Sequence, residues 1–283
     1  MRLDDVRTST NVEDRRASGG RVRRGIALSG GSILLIGIYA LVTKQNPLEL
    51  LSALSEGTQQ ESNPGAVNPP VDPNDPAAVF AKKILATTED CWKTALPKLG
   101  AAYREPVLVL YRGSVESACG YQQAAVGPFY CPGDSKAYFD LDFLDDLQKQ
   151  LGAAGDFASA YVIAHEIGHH VQKLLGTSAR VQAAGRDEGA EGNSVRLELQ
   201  ADCYAGVWGS YAKARGLLEM GDIEEALRAA QAIGDDTLQR RGRGRVTPET
   251  FSHGTSAQRE SWLKRGMESG NPQACDTFRT ARL

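Results

Sequence analysis

Histidine is scarce in this 283-residue chain, which has four, and no two of its five cysteines form a CxxC pair. Without such pairs, a cysteine-rich structural zinc site is not expected. The net charge of −3 is small and gives no electrostatic basis for nucleic acid as a partner. No internal repeat is present, and the 41% of apolar residues is enough to build one large domain or two small ones.

Three of the four histidines lie in one apolar stretch, residues 160–172, where His165, Glu166 and His169 form the pattern HExxH. Residues four apart share a helix face, so both imidazoles, which are natural zinc ligands, can bind one ion. Glu166 projects from the edge of that face and can accept a proton from a metal-bound water without being a ligand. The pattern predicts a zinc hydrolase.

A chance spacing on a solvated helix is the alternative interpretation. With four histidines, an accidental HExxH match is expected in roughly a few chains per thousand. The helix is also apolar nearly all round, which indicates burial. Its apolar positions are Tyr161, Val162, Ile163, Ala164, Ile167 and Val171. Buried polar groups without partners are costly, so this helix needs a partner such as a metal.

A second informative stretch, residues 196–206, lies on a helix predicted over residues 194–214. A catalytic zinc usually has three protein ligands and one position for water, and Glu198 is the candidate third ligand. Asp202 lies one turn further on the same face, where it could accept a hydrogen bond from the free ring nitrogen of a ligand histidine. Cys203 points about 100° away and is expected to be a packing thiol. Ordinary polar positions on a surface helix are the alternative, which the apolar composition of this helix disfavours.

The fourth histidine, His253, precedes an amphipathic helix, and a donor there could stabilise the oxyanion of a tetrahedral intermediate. Arg259, on that helix, is a second candidate for this role. The alternative is that Ser252 or Thr255 caps the helix and His253 is a surface residue. His170 points around its helix away from the two HExxH histidines, so a structural or supporting role is expected for it.

Residues 1–24 are polar and end in a basic cluster, which predicts a disordered cytoplasmic arm. Residues 25–43 contain no charge and would span about 28 Å as a helix, near the thickness of a bilayer core. The preceding arginines predict a single-pass membrane anchor with the N-terminus in the cytoplasm and everything after Lys44 outside. A cleaved signal peptide and a buried helix are the alternatives. No A-x-A site follows closely, however, and the glycines suit a soluble helix poorly.

Residues 44–75 are rich in Pro, Asn, Ser, Gln and Gly, which predicts a disordered linker, with an ordered loop as the alternative. One domain is expected over residues 76–283. Within it we predict helices at 76–96, 142–151 and 222–232, strands at 106–112 and 138–141, and loops at 177–193 and 240–245.

The cysteines suggest disulfides if the compartment is oxidising. Cys119 and Cys131 bracket a hairpin-sized loop, so a bridge between them is expected, with two buried thiols as the alternative. Cys91 and Cys275 are the candidates for a second bridge.

Taken together, four motifs in this chain resemble those of the neutral zinc metallopeptidase family of bacteria, over about residues 75–280. They are GPFYCPGD at 127–134, AYVIAHEIGHHVQ at 160–172, ELQADCYAGVW at 198–208 and HGTSAQR at 253–259. The pairing of HExxH with ExxAD also resembles the gluzincin metallopeptidases, whose later His and Arg, spaced as His253 and Arg259 are, lie near the metal. The resemblance implies one zinc ion, a zincin-like α+β fold with a small sheet packed on the HExxH helix, and peptide hydrolysis. In related folds the substrate pairs with an edge strand beside that helix, and residues 127–141 are the candidate edge.

The resulting hypothesis is a membrane-anchored, extracytoplasmic zinc peptidase that acts on a peptide or protein substrate. His165, His169 and Glu198 would bind the zinc, and Glu166 would act as general base toward the activated water. His253, with Arg259, would stabilise the oxyanion. Two alternatives stay open: a membrane-tethered scaffold that uses zinc only to fasten its fold, and a zinc hydrolase of cell-wall amides. A fourth protein ligand, such as His170 or Cys203, would favour the scaffold.

Overall fold

The computed structural model describes residues 1–16, 71–123, 128–143, 155–185 and 187–283. The strands in these ranges are β1 (Val12–Asp14), β2 (Val107–Tyr111), β3 (Ser114–Ser117), β4 (Gly120–Gln123), β5 (Phe129–Cys131) and β6 (Lys136–Asp140). The helices are α1 (Pro76–Ala95), α2 (Asp156–Leu174), α3 (Thr177–Ala184), α4 (Asn193–Ala214), α5 (Asp222–Ala232), α6 (Asp235–Arg243) and α7 (Ser256–Ser269). Three short 3₁₀ turns cover Leu96–Leu99, Pro248–Thr250 and Pro272–Cys275.

A four-stranded sheet of order β1-β2-β6-β5 lies against α2. Strands β1, β2 and β6 run parallel, whereas β5 pairs antiparallel with β6 and forms one edge. The hairpin of β3 and β4 is a separate small sheet, and the predicted disulfide between Cys119 and Cys131 joins it to β5. The predicted class is therefore confirmed as a mixed α+β fold with small sheets.

Local sequence signals correctly indicated the start of α1, the end of α2 and the buried strand β2. Asp75 caps α1 by accepting hydrogen bonds from the backbone amides of Ala77 and Ala78. Gly176, with φ of 71°, follows the end of α2. Strand β2 is buried along most of its length, as its unbroken apolar run predicts for an interior strand.

Parts of two segments predicted as loops are helical instead. Thr177–Ala184 forms α3, whose Val181 is buried where the helix packs against α2 and α4. The predicted loop at 240–245 overlaps the end of α6, and Asp235 and Asp236 in the first turn of that helix stabilise its N-terminus. Both segments have a weak helical pattern in their sequence. Tertiary packing stabilises α3, and the acidic side chains in the first turn stabilise α6.

The second disulfide joins Cys203 to Cys275, whose Cα atoms are 5.5 Å apart. The predicted Cys91–Cys275 pair was therefore wrong, and so was the prediction that Cys203 is a packing thiol. Cys91 is a buried free thiol on α1. The bridge follows from the packing of the turn Pro272–Cys275 against α4, which no spacing along the chain reveals.

The first sixteen residues are ordered, so the prediction of a disordered arm was wrong for this part of it. β1 adds to the sheet beside β2. Glu89 on α1 is only 2% exposed, and it accepts hydrogen bonds from Arg7, Ser9 and Asn11 over 2.9, 2.6 and 2.8 Å. Backbone pairing and this buried carboxylate order a segment whose composition alone indicates disorder.

Within the described ranges, no helix is both long and apolar enough to cross a bilayer. The predicted span, residues 25–43, and residues 44–70 of the predicted linker lie outside the described residues. The position of β1 nevertheless bears on the predicted orientation. A single crossing between β1 and β2 would put the two strands on opposite sides of a membrane, and they could not pair. A cytoplasmic N-terminus with an exported domain therefore disagrees with the sheet.

Removal of residues 1–16 should destabilise the domain, because the carboxylate of Glu89 would stay buried without its donors and β2 would become an open edge. We expect the free energy of unfolding to fall by about 3 kcal/mol or more, measured by urea denaturation of the shortened and complete chains. Asp5→Asn, an exposed change in the same segment, is the control and should alter it by less than about 0.5 kcal/mol. Equal stability of the two chains would contradict this role for the segment.

Candidate metal centre

The site forms where α2 and α4 cross. Gly168, inside the HExxH pattern, lies against Ala201, and a Cβ added at Gly168 would be 3.0 Å from the carbonyl oxygen of Ala201. Small residues at the crossing let the two helices approach closely, so the side chains on either side of it meet. His165 and His169 on α2 thereby face Glu198 on α4.

The structure brings the three predicted zinc ligands together. Oε2 of Glu198 lies 3.2 Å from Nε2 of His165 and 3.6 Å from Nε2 of His169. Zinc bonds of about 2.0–2.1 Å in a tetrahedral arrangement place ligand atoms roughly 3.3–3.4 Å apart. The spacing of these three donors therefore fits one zinc ion.

Hydrogen bonds on the far side of each ring orient the two imidazoles. Nδ1 of His165 donates to Oδ1 of Asp202 over 2.8 Å, and Nδ1 of His169 donates to Oε1 of Gln172 over 2.9 Å. The amide group of Gln172 is oriented in turn, because its nitrogen donates to the carbonyl oxygen of Leu197. With a proton held on Nδ1, each ring can lose the proton of Nε2 and present a lone pair there, which is the form that a zinc ligand requires.

Asp202 is fully buried and forms an ion pair with Arg259 on α7. Nε and Nη2 of Arg259 each donate to this carboxylate over 2.8 Å, and the hydroxyl of Tyr161 donates to it over 2.6 Å. Arg259 was predicted to stabilise an oxyanion. Its side chain is fully buried, however, and its Nε and Nη2 are directed at Asp202, behind His165.

The approach of α7 to α4 depends on two glycines. A Cβ at Gly206 would lie 2.1 Å from the carbonyl oxygen of Leu263, and one at Gly266 would lie 2.0 Å from that of Cys203. No side chain fits at either position, so both glycines are required for this contact. The close contact lets the Arg259 side chain reach Asp202 inside the core.

Glu166 is 4% exposed and lies beside the three donors. Burial raises the pKa of Glu166, while the imidazoles of His169 and His165 and a backbone hydrogen bond from Tyr130 act in the opposite direction. The net result is a raised pKa, which suits a carboxylate that must both accept and release a proton. Glu166 therefore lies between the ligand set and β5, which contains Tyr130.

His253 is 3% exposed, so the alternative of a surface histidine was wrong, although Thr255 does cap α7 as that alternative proposed. Nδ1 of His253 lies 3.1 Å from Oδ1 of Asp235, and Oδ2 of Asp235 accepts the backbone amide of His253 over 2.7 Å. Burial alone would raise the pKa of Glu198, but the imidazoles of His169, His165 and also His253 hold it well below its usual range. His253 is thus close enough to influence the ligand set.

The two residues considered as a fourth ligand are engaged elsewhere. Nδ1 of His170 accepts a hydrogen bond from the hydroxyl of Tyr130 over 2.9 Å, and its Nε2 donates to the carbonyl oxygen of Arg104 over 2.7 Å. Burial lowers the pKa of His170 to about 4, so the ring is neutral. Cys203 is in a disulfide. Among the residues that the structure describes, the site therefore has three protein ligands.

Comparison with known proteins agrees with this site. The chain matches, over residues 1–278, the model of the family described as "Putative neutral zinc metallopeptidase". The chain belongs to this family. It is 50% identical over 288 residues to the uncharacterized protein YpfJ of Escherichia coli K12, covering 98% of this chain and 99% of that protein. It is also 46% identical over 215 residues to the uncharacterized protein Rv2575 of Mycobacterium tuberculosis H37Rv, covering 71% of each chain. No solved structure matched the chain.

Three residues that support the centre of this metallopeptidase were not singled out from the sequence. Tyr161 precedes His165 by one helical turn and Gln172 follows His169 by one, so helical spacing could have indicated both. Asp235 lies 18 residues before its partner histidine and in a different element, and no local signal marks it.

Zinc affinity should rise with pH. Burial lowers the pKa of His165, but the carboxylates of Asp202 and Glu198 together raise it more, and the pKa in the metal-free protein is about 9. The ring is therefore protonated at neutral pH, and zinc must displace that proton. We expect the affinity to increase about tenfold per pH unit between pH 6.5 and 8.5, measured by competition with a chelator of known affinity. An affinity that stays constant over this range would contradict the proton competition.

Asp202→Ala should strongly destabilise the metal-free protein, because the guanidinium of Arg259 would stay fully buried without its carboxylate. We expect a loss of about 3–5 kcal/mol in the free energy of unfolding, measured by urea denaturation in the presence of a chelator. Glu268→Ala, at an exposed position on α7, is the control and should change it by less than about 0.5 kcal/mol. A similar small change in both variants would show that the ion pair is not needed for stability.

Proposed function

We propose that the chain is a zinc-dependent peptidase in which Glu166 acts as the general base. The observation that carries the proposal is the convergence of His165, His169 and Glu198, with Glu166 beside them. A catalytic zinc has three protein ligands and an open position, whereas a structural zinc usually has four protein ligands. A glutamate as third ligand, from a second helix, also supports the gluzincin-like assignment.

The scaffold alternative required a fourth protein ligand. His170 and Cys203 were the candidates, and the first is hydrogen-bonded at both ring nitrogens while the second is in a disulfide. Both observations support an enzyme over a protein that uses zinc only to fasten its fold.

Each protein group has a separate part in the proposed reaction. A zinc ion held by the three ligands would polarise the scissile carbonyl and make a bound water acidic. Glu166 accepts a proton on its carboxylate and delivers it to the nitrogen of the leaving amine. His253, oriented by Asp235, supplies a donor for the charge that develops on the carbonyl oxygen. Asp202 keeps the proton of His165 on Nδ1, so that Nε2 stays free to bind.

Strand β5 offers an extended edge for the substrate. The predicted edge covered residues 127–141, but β6 is paired on both sides, by β2 and β5, so within the described part of this segment β5 is the strand that can accept another. The backbone of Tyr130 in β5 hydrogen-bonds Glu166, so this edge lies beside the carboxylate that we propose as general base. A peptide added here by β-augmentation would pass the site as an extended main chain. This favours a peptide or protein substrate, and a cell-wall amide is the alternative.

We also propose that the domain works in an oxidising compartment outside the cytoplasm. The structure contains two disulfides, and disulfides are rare in cytosolic proteins. Because β1 belongs to the same sheet as β2, residues 1–16 would lie on the same side as the domain. A single span at residues 25–43 would be a crossing between β1 and β2, so this proposal does not include the predicted single-pass anchor.

Glu166→Gln should keep its zinc and lose peptidase activity. The amide cannot accept the proton, which should reduce kcat by about 10²- to 10⁴-fold on substrates found by screening a peptide library with the complete chain. Zinc content per chain is measured on the same samples. Glu268→Gln, at an exposed position, should retain full activity.

Chelation should abolish hydrolysis by the unsubstituted chain, and added zinc should restore it. Unchanged hydrolysis by Glu166→Gln would exclude the general-base role. Cleavage of wall fragments without cleavage of any peptide would favour the alternative substrate.

A further inference from the structure

A second group of carboxylates lies where α2 and α5 begin, apart from the zinc ligands. Asp156 opens α2, and Asp222 and Glu225 lie in the first turn of α5. One carboxylate oxygen from each lies within 4.8 Å of the other two. Glu219 reaches the same place, because the N-terminal amine of Met1 contacts both Glu219 and Asp156.

One buried ammonium faces these four carboxylates. The amine of Met1 lies 2.7 Å from Oδ2 of Asp156, 2.9 Å from Oε2 of Glu219 and 3.6 Å from Oδ2 of Asp222. Nε of Arg2 lies 3.7 Å from Glu219, but its side chain is 71% exposed and its charge is screened by water. The local charge stays negative, which disfavours the close approach of the acidic groups.

The contacts with the Met1 amine do not explain why Glu225 is buried. It is 6% exposed, and its Oε2 is buried without a hydrogen-bond partner. Burial, followed by the charges of Asp156 and Asp222, raises the pKa of Glu225, and the opposing effects of the Met1 amine and Arg228 are smaller. The positive N-terminal ends of α2 and α5 stabilise carboxylates nearby, but this effect does not explain why the carboxylate of Glu225 is buried. A buried carboxylate that keeps an unpartnered oxygen and lies close to two other carboxylates is the donor arrangement of a cation site.

We propose that Asp156, Asp222 and Glu225 bind a hard divalent cation, and that calcium is the ion whose chemistry they fit. Calcium takes carboxylate and water oxygens at about 2.3–2.6 Å, so two oxygens on one ion can be up to about 5.2 Å apart. The observed spacing thus allows binding without movement of the helices. The ion would fasten the start of α2, the helix that contains HExxH, to α5. The proposal does not rest on peptidase activity.

Thermal unfolding of the complete, zinc-loaded chain tests the site. Calcium at about ten times its dissociation constant should raise Tm by about 2–5 °C relative to potassium chloride of equal ionic strength. Calorimetric titration should show one calcium ion bound per chain in addition to the zinc.

Two variants assign the effect to this cluster. Glu225→Gln should abolish the calcium-dependent rise in Tm, and without calcium its Tm should be no lower than that of the unsubstituted chain, because one repelling charge is gone. Glu224→Gln, the exposed neighbour, is the matched control and should keep the full rise. The proposal is overturned if the unsubstituted chain shows no rise up to about 10 mM calcium. It is also overturned if potassium chloride alone gives the same rise, which would mean charge screening only, or if Glu225→Gln keeps the rise.

Discussion

The carboxylate of Asp202 is the contact on which the metal centre depends. It accepts hydrogen bonds from Tyr161 and His165 on α2 and from Arg259 on α7, while its own backbone belongs to α4. Three helices are therefore joined at one side chain with no access to water. Such a contact tolerates little displacement, because a buried charge that loses its partner is very costly. The position of the zinc ligands is fixed by this requirement.

The ion pair of Asp202 with Arg259 also affects the net charge of the metal centre. A lone carboxylate behind His165 would add a negative charge to a site that already contains Glu166 and Glu198. The guanidinium of Arg259 balances the charge of Asp202, and Asp202 can still orient the imidazole of His165. The two negative charges of the glutamates then match the two positive charges of a zinc ion. The arginine thus acts on the metal through two other residues.

Much of this centre could be predicted from the sequence because its geometry is local. Helical spacing relates His165 to His169 and Glu198 to Asp202, and the apolar flanks indicate that both helices are buried. Spacing along the sequence does not show how deeply a side chain is buried, or which residues from distant elements it contacts. Arg259 was assigned to the substrate because nothing in the sequence shows that its side chain turns into the core. Asp235 escaped notice because it comes from another element.

The same limit explains the errors in the fold. The segment of β1 is charged and short, and its role depends on a buried carboxylate in α1 and on a strand far along the chain. The bridge of Cys203 with Cys275 depends likewise on how the C-terminal turn packs. By contrast, the Cys119–Cys131 bridge spans a short loop and could be predicted.

The parallel pairing of β1 with β2 has a consequence for how the chain is made. β1 is synthesised before β2, which lies about a hundred residues further along the chain. The two strands therefore cannot pair until β2 has been synthesised. During this interval the waiting strand is a free edge. Glu13 and Asp14 in this strand, and Arg15 and Arg16 directly after it, protect it, because charged side chains on an unpaired strand discourage aggregation.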